Sequence, residues 1–85
     1  METKLNTDSE TLNLAKEILA ESLHLEIDDI ENDASISTLA QWDSLGHMRI
    51  ILGLEERLGI ELPAELVVEI ARLGDVADVL ESQRE

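Results

Sequence analysis

Gln41-Trp42-Asp43-Ser44-Leu45-Gly46-His47-Met48-Arg49-Ile50-Ile51-Leu52-Gly53-Leu54-Glu55-Glu56-Arg57-Leu58-Gly59 is the stretch on which the fold turns. Asp and Ser are preferred N-cap residues, so Asp43-Ser44 opens a helix. Gly59 stands where a helix takes a C′ residue. The spacing predicts a helix over about 44–58. At ~100° per residue, His47, Ile50, Ile51, Leu54 and Leu58 gather on one side. Leu45, Met48 and Leu52 gather on a second side, roughly 140° away by the same arithmetic. The first stripe suits a helical core. The second lies beside Ser44 and is bracketed by Glu55 and Glu56. It is either a docking strip at the rim or part of a helix buried all round, and Glu, seldom buried unpaired, favours the rim.

Working outward, Thr7-Asp8-Ser9-Glu10 has the spacing of a capping box. Leu12, Ala15, Ile18, Leu19 and Leu23 follow as a helical stripe, which places a first helix at about 8–23. Residues 24–42 show no sustained period. Leu25, Ile27, Ile30, Ile36 and Leu39 are scattered there among acids and are expected to pin a long loop across the bundle, with a short turn of helix around 37–40. Pro63 reads as a first helical position, so a short third helix is expected over 63–70. Gly74-Asp75 reads as a break before a last helix carrying Val76, Val79 and Leu80, ending near Ser82. The expected class is all-α, a four-helix bundle with a long first loop and a short third helix. It is one domain over 1–85, with 1–6 and 83–85 frayed.

Composition agrees with that class. Leu, Ile, Val and Ala supply nearly all of the apolar 44%, and Trp42 is the single aromatic; such a core suits helices better than a sheet. The absence of cysteine excludes a disulfide framework, a thiolate metal site and a cysteine nucleophile, and fits a reducing compartment. No apolar run approaches the ~20 residues of a membrane span, and the N-terminal residues lack the plan of a signal peptide. A cytoplasmic location is therefore expected. Twenty acidic residues against six basic ones leave a net charge of −14, which disfavours nucleic acid and anionic membranes, attracts basic partners and favours a monomer. Glu26, Asp28, Asp29, Glu31, Asp33 and Asp43 occur without an intervening Lys or Arg. Their spacing lacks the Asp pattern, central Gly and closing Glu of an EF-hand, so no metal site is expected.

Ser44 is the chemically conspicuous residue. A hydroxyl at a helix N-terminus stands near unpaired N–H groups and the positive end of the dipole, which favour a phosphate ester there. The plainer alternative is a cap. Asp43, Ser44 and His47 also bring a hydrolase to mind. However, all three fall within about one helical turn, no oxyanion hole is evident, and Trp42 occupies the place of the first Gly of a nucleophile elbow. A structural or prosthetic-group-contacting role suits His47 better.

Taken together, Asp28-Asp29-Ile30, Leu39, Trp42-Asp43-Ser44-Leu45-Gly46, Leu54-Glu55-Glu56, Gly59-Ile60-Glu61-Leu62-Pro63 and Gly74-Asp75 resemble an acyl carrier protein of the phosphopantetheine-dependent carrier superfamily, over essentially the whole chain. The resemblance implies a four-helix fold without catalysis of its own. It implies 4′-phosphopantetheine transferred from coenzyme A to Ser44 by a phosphopantetheinyl transferase. The arm's thiol would hold an acyl group as a thioester for partner enzymes, among them a loading ligase and downstream acyltransferases or synthases. It also implies a partner-facing surface at Asp43, Leu45, Met48, Arg49, Leu52, Glu55 and Glu56. Arg49 stands where fatty-acid-synthesis carriers usually have an acid, and Gly46 and His47 also depart from the common pattern. Trp42 is more familiar in specialised free-standing carriers, so a dedicated acyl pathway is favoured over a general fatty-acyl one, which stays the alternative within the class. An aminoacyl carrier loaded by its own ligase is an alternative; an unmodified acidic interaction module is another, of a different class.

Overall fold

The computed structural model describes the backbone of residues 2–83 and the side chains of residues 10–83. Four helices follow in order: α1, Glu2–Leu23; α2, Ser44–Leu58; α3, Ala64–Glu69; and α4, Leu73–Gln83, with a 3₁₀ turn at Ile27–Asp29. Among the described residues there is no strand, only one isolated bridge between Ser35 and Arg72. The all-α, four-helix expectation holds.

α1 begins well before Thr7, so the backbone at Thr7 is already inside the helix, and the side chains of the expected capping box at Thr7, Asp8 and Ser9 lie outside the described residues. Residues 2–6 contain neither Gly nor Pro, and helix propagation from an established turn is easier than nucleation. The fraying expected at residues 1, 84 and 85 lies outside the described residues. At its other end α1 closes with His24 in the left-handed region (φ 60°) and the Leu25 N–H on the Ala20 carbonyl at 2.9 Å, the geometry of a Schellman cap. Gly59 (φ 70°) ends α2 in the same region, as expected, its N–H on the Glu55 carbonyl.

The core forms where α1, α2 and α4 meet. Ala15, Ile18, Leu19 and Leu23 of α1 pack with Ile50, Ile51 and Leu54 of α2 and with Leu73, Val76, Val79 and Leu80 of α4, all buried. Inside this contact, buried Thr11 donates to the Glu81 carboxylate at 2.6 Å, joining α1 to α4. The α1–α2 crossing is close: Ser22 Oγ donates to the Arg49 carbonyl at 3.3 Å. Gly46 admits the Gln41 carbonyl and the Leu23 side chain where any Cβ would collide with both.

The long loop is pinned by Ile30, Ala34 and Trp42, which are buried, with Leu25 and Leu39 packed against the core. Its expected turn near 37–40 is present as tight turns rather than helix, closed by the Thr38 and Leu39 N–H groups on the Ser35 carbonyl. The loop is also stitched to the α3–α4 junction by Ile36 N–H on Ala71 O and Leu73 N–H on Ala34 O, both 2.9 Å. Pro63 caps α3 from outside it, with ψ 150°, rather than opening it. Gly74-Asp75 does not break the chain but sits in the first turn of α4. Asp75 reaches back to accept from the N–H groups of Ala71 (2.9 Å) and Arg72 (3.1 Å), and Arg72 pairs with it at 3.2 Å. That is the acidic half of a capping box, and it lets the helix start at Leu73, ahead of the expected break. Burial pushes the Asp75 carboxyl up, but these N–H donors and the Arg72 guanidinium outweigh it and hold it below 3.8.

Candidate functional site

Ser44 is the first residue of α2 and is exposed. Asp43, not Ser44, is the cap: its side chain accepts from Gly46 N–H at 2.8 Å, and its carbonyl takes the His47 N–H at 2.8 Å. With the capping duty held by Asp43, the Ser44 hydroxyl is left to solvent at the positive end of α2. Beside it lies a cleft of about 680 Å³. It is lined by Asp43 at the α2 cap, by Ser44, His47 and Met48 of α2, by Val67, Val68, Ile70 and Ala71 of α3 and its exit, and by Ile36 and Trp42 of the long loop.

His47 is held on both sides. The Trp42 indole Nε1–H donates to its Nδ1 at 3.0 Å, and its Nε2 lies 2.9 Å from the Val67 carbonyl oxygen. The two ring planes lie within 20° of each other with centroids 6.3 Å apart, so the rings meet edge to edge through that bond. Both imidazole nitrogens are thereby committed away from Ser44, and the Asp43 carboxylate is on Gly46. Among the described residues no base is bonded to the serine, so Asp43, Ser44 and His47 do not form a Ser-His-Asp triad. Among the described residues, no group of three or more His, Asp or Glu is arranged to hold a metal ion.

The helical arithmetic on α2 is correct on both faces. Ile50, Ile51 and Leu54 are buried, whereas Leu45, Met48 and Leu52 are 60%, 51% and 56% exposed. The rim reading of the second stripe therefore replaces the buried-all-round alternative. The surface residues are spread over several neighbouring depressions rather than one. Asp43, Ser44 and Met48 line the cleft; Leu45 and Arg49 flank a groove against Ser22 and Leu23 of α1; Leu52, Glu55 and Glu56 border a hollow with Gly59, Ile60 and Glu61. Glu55 has a second duty, since its carboxylate accepts from Leu62 N–H at 2.9 Å and anchors the α2–α3 turn.

Ile36 (46% exposed), like Ile27 (40%), does not pin the loop into the core as expected; Ile36 and Val68 (78%), on which no docking role was expected, add apolar surface at the cleft. A signal existed for Val68. Leu66-Val67-Val68 are three successive apolar residues on a helix, and they cannot all face one core.

The match to known families follows this geometry. Residues 13–80 fit the family model described as the phosphopantetheine attachment site. The chain is 31% identical to an acyl carrier protein of Thermosynechococcus vestitus over 75 residues, 88% of this chain and 93% of that one. It is 29% identical to one from Wolinella succinogenes over 69 residues (81% and 91%). An acyl carrier protein of Prochlorococcus marinus is 28% identical over 78 residues (92% and 98%). A four-helix bundle with a freely presented helix-start serine, matched across nearly its full length, places this chain in the phosphopantetheine-dependent acyl carrier protein family.

Proposed function

We propose that Ser44 carries the 4′-phosphopantetheine and that the chain serves a dedicated acyl pathway. The observation that carries the assignment is the exposed Ser44 hydroxyl, freed from capping by Asp43, at the N-terminus of α2. The site fits the group. A phosphodiester there adds negative charge where the first-turn N–H groups and the helix dipole favour it, and the apolar cleft begins at the same residue. When attached, the group supplies a thiol that holds an acyl chain as a thioester, a chemistry for which the cysteine-free chain has no residue of its own. The protein's own part is to present Ser44, to keep bases away from it and to offer a surface to which partners dock.

Docking runs through Leu45, Met48 and Leu52 as apolar anchors, with Asp43, Glu55 and Glu56 steering basic enzymes. The partners are a phosphopantetheinyl transferase, an acyl-loading ligase and downstream acyltransferases or synthases. Arg49 is exposed on α2 and interrupts an otherwise acidic face, which supports specialised partners over general fatty-acid enzymes. The match to acyl carrier proteins favours acyl cargo over an aminoacyl group and over an unmodified interaction module. No described helix is long and apolar enough to cross a membrane. A cytoplasmic, monomeric protein is part of this reading, supported by the cysteine-free sequence and the net charge of −14.

The test is intact mass after incubation with coenzyme A and a broad-specificity phosphopantetheinyl transferase. The wild-type chain is expected to gain one phosphopantetheine, and Ser44→Ala none, with unchanged helicity. Modification that persists in Ser44→Ala would move the site elsewhere.

A further inference from the structure

We propose that His47 is a positioning residue: as the Nε2–H tautomer it caps the last turn of α3 and sets where the α3 side of the cleft stands relative to Ser44. The inference rests on Ser44 being the carrier site, and it adds a residue whose role is to hold the docking surface in register rather than to touch a partner.

The tautomer follows from the bonding. An indole N–H can only donate, so Nδ1, which receives it at 3.0 Å, carries no proton. In a neutral ring the proton is then on Nε2, 2.9 Å from the Val67 carbonyl. That carbonyl needs a donor. The final carbonyls of a helix have no intrahelical partner, and α3 has only six residues. Ile70 N–H returns to the Leu66 carbonyl, but Ala71 N–H, which would ordinarily close on Val67, is turned to Asp75 Oδ2 at 2.9 Å. His47 supplies the bond that the end of the helix gives up.

The bond matters because little else holds α3. None of its six residues is fully buried; Leu66 and Val67 are half-buried, and Ile70 is buried only after the helix has ended. The ring that makes the bond is itself fixed, since Trp42 is 2% exposed and its indole N–H holds Nδ1. Loop, α2 and α3 are thus joined through one imidazole. Among the described residues, Asp43 is the only other titratable one lining the cleft, and its carboxylate faces Gly46 N–H. Without the cap α3 would drift, carrying exposed Val68 away from Met48, while the Ser44 hydroxyl on α2 stayed as it is. The expected signature is weaker docking with the chemistry at Ser44 unchanged.

Three measurements test this on the full chain. Nitrogen-15 spectra of the neutral imidazole are expected to show a protonated Nε2 and a bare Nδ1. In His47→Leu, amide exchange over residues 66–71 should quicken about ten-fold, the scale of one lost hydrogen bond in a marginal segment. Its KM for a phosphopantetheinyl transferase should rise several-fold with kcat within a factor of about two, the pattern of lost binding rather than lost chemistry. His47→Gln, whose amide can reach Val67, should restore slow exchange and low KM. His47→Asn, long enough for Trp42 but not for Val67, should behave as Leu does, and it decides the matter if the Leu variant fails to fold. An Nδ1–H tautomer, wild-type exchange in the Leu or Asn variant, or a fall in kcat with KM unchanged would overturn the proposal. A wild-type chain that accepts no phosphopantetheine would instead fail the carrier reading and with it the docking role. The spectrum and the exchange rates would still decide whether the cap exists.

Discussion

Leu52 and Leu54 stand two residues apart on α2 and are the same amino acid, yet truncating each to alanine is expected to do opposite things. Leu54 is 0% exposed among α1 and α4 side chains, whereas Leu52 is 56% exposed on the outer strip. A buried Leu→Ala change loses the transfer energy of the removed carbons and leaves a cavity, ~2–5 kcal/mol together. At ~0.05–0.15 kcal/mol per residue, an 85-residue chain has only about 4–13 kcal/mol in total. Leu54→Ala should therefore remove a large share of the stability, and a loss near 3 kcal/mol would lower Tm by roughly 12–24 °C. Leu52→Ala takes away carbons that are mostly in water already and gains slightly in helix propensity, so its change should stay within about 0.5 kcal/mol. Urea unfolding followed by far-UV circular dichroism reads both, with an unchanged m-value as the check that only stability has moved. Capture by the transferase should show the reverse order, weakened for Leu52→Ala and retained for the folded fraction of Leu54→Ala. A loss above about 1.5 kcal/mol for Leu52→Ala, or below about 1 kcal/mol for Leu54→Ala, would refute the division of α2 into core and docking faces.

Gly46→Ala should cost ~1–3 kcal/mol in spite of alanine's better helix propensity, because the new Cβ meets the Gln41 backbone carbonyl, which cannot swing aside. Gly74→Ala in α4 meets nothing within 4 Å and should stabilise by ~0.5–1 kcal/mol, so paired chemical melts of the two variants give opposite signs. Asp75 has a folded-state pKa held below 3.8, so its contribution is fully present above that pH and is lost as pH falls through the lower folded value. Asp75→Asn should be less stable than wild type by about 1–2 kcal/mol at neutral pH, with the gap closing under acid; a gap that persists below the folded-state pKa would contradict the cap. Glu26, Asp28, Asp29, Glu31 and Asp33 are all exposed on a chain of net charge −14, so monovalent salt should raise Tm by screening. Magnesium at matched ionic strength should add nothing further, since no described cluster is arranged to hold a metal ion; an extra rise would reveal a specific site.

What the sequence determined by itself was whatever repeats at helical period or ends in a recognisable cap. The span of α2, its buried and exposed stripes and the left-handed residue at Gly59 are all local, since a 3.6-residue period and a cap need only neighbours within one turn. The serine at the helix start is legible for the same reason. Two helix starts differ from the local pattern: α4 begins at Leu73 because Asp75 bends back to two N–H groups, and α1 runs upstream of its apparent capping box by propagation through residues 2–6. The tertiary structure alone decided the rest of the site. No local pattern says that Ala34 and Ile36 bond to Leu73 and Ala71, that Glu55 anchors the turn at Leu62, or that Val68 adds apolar surface at the cleft. His47 is the clearest case. The helical wheel placed it on the inner face, but its bond to a carbonyl 20 residues away could not be read there. A hydrogen bond depends on where two atoms arrive, and periodicity specifies only the side of the helix from which they set out.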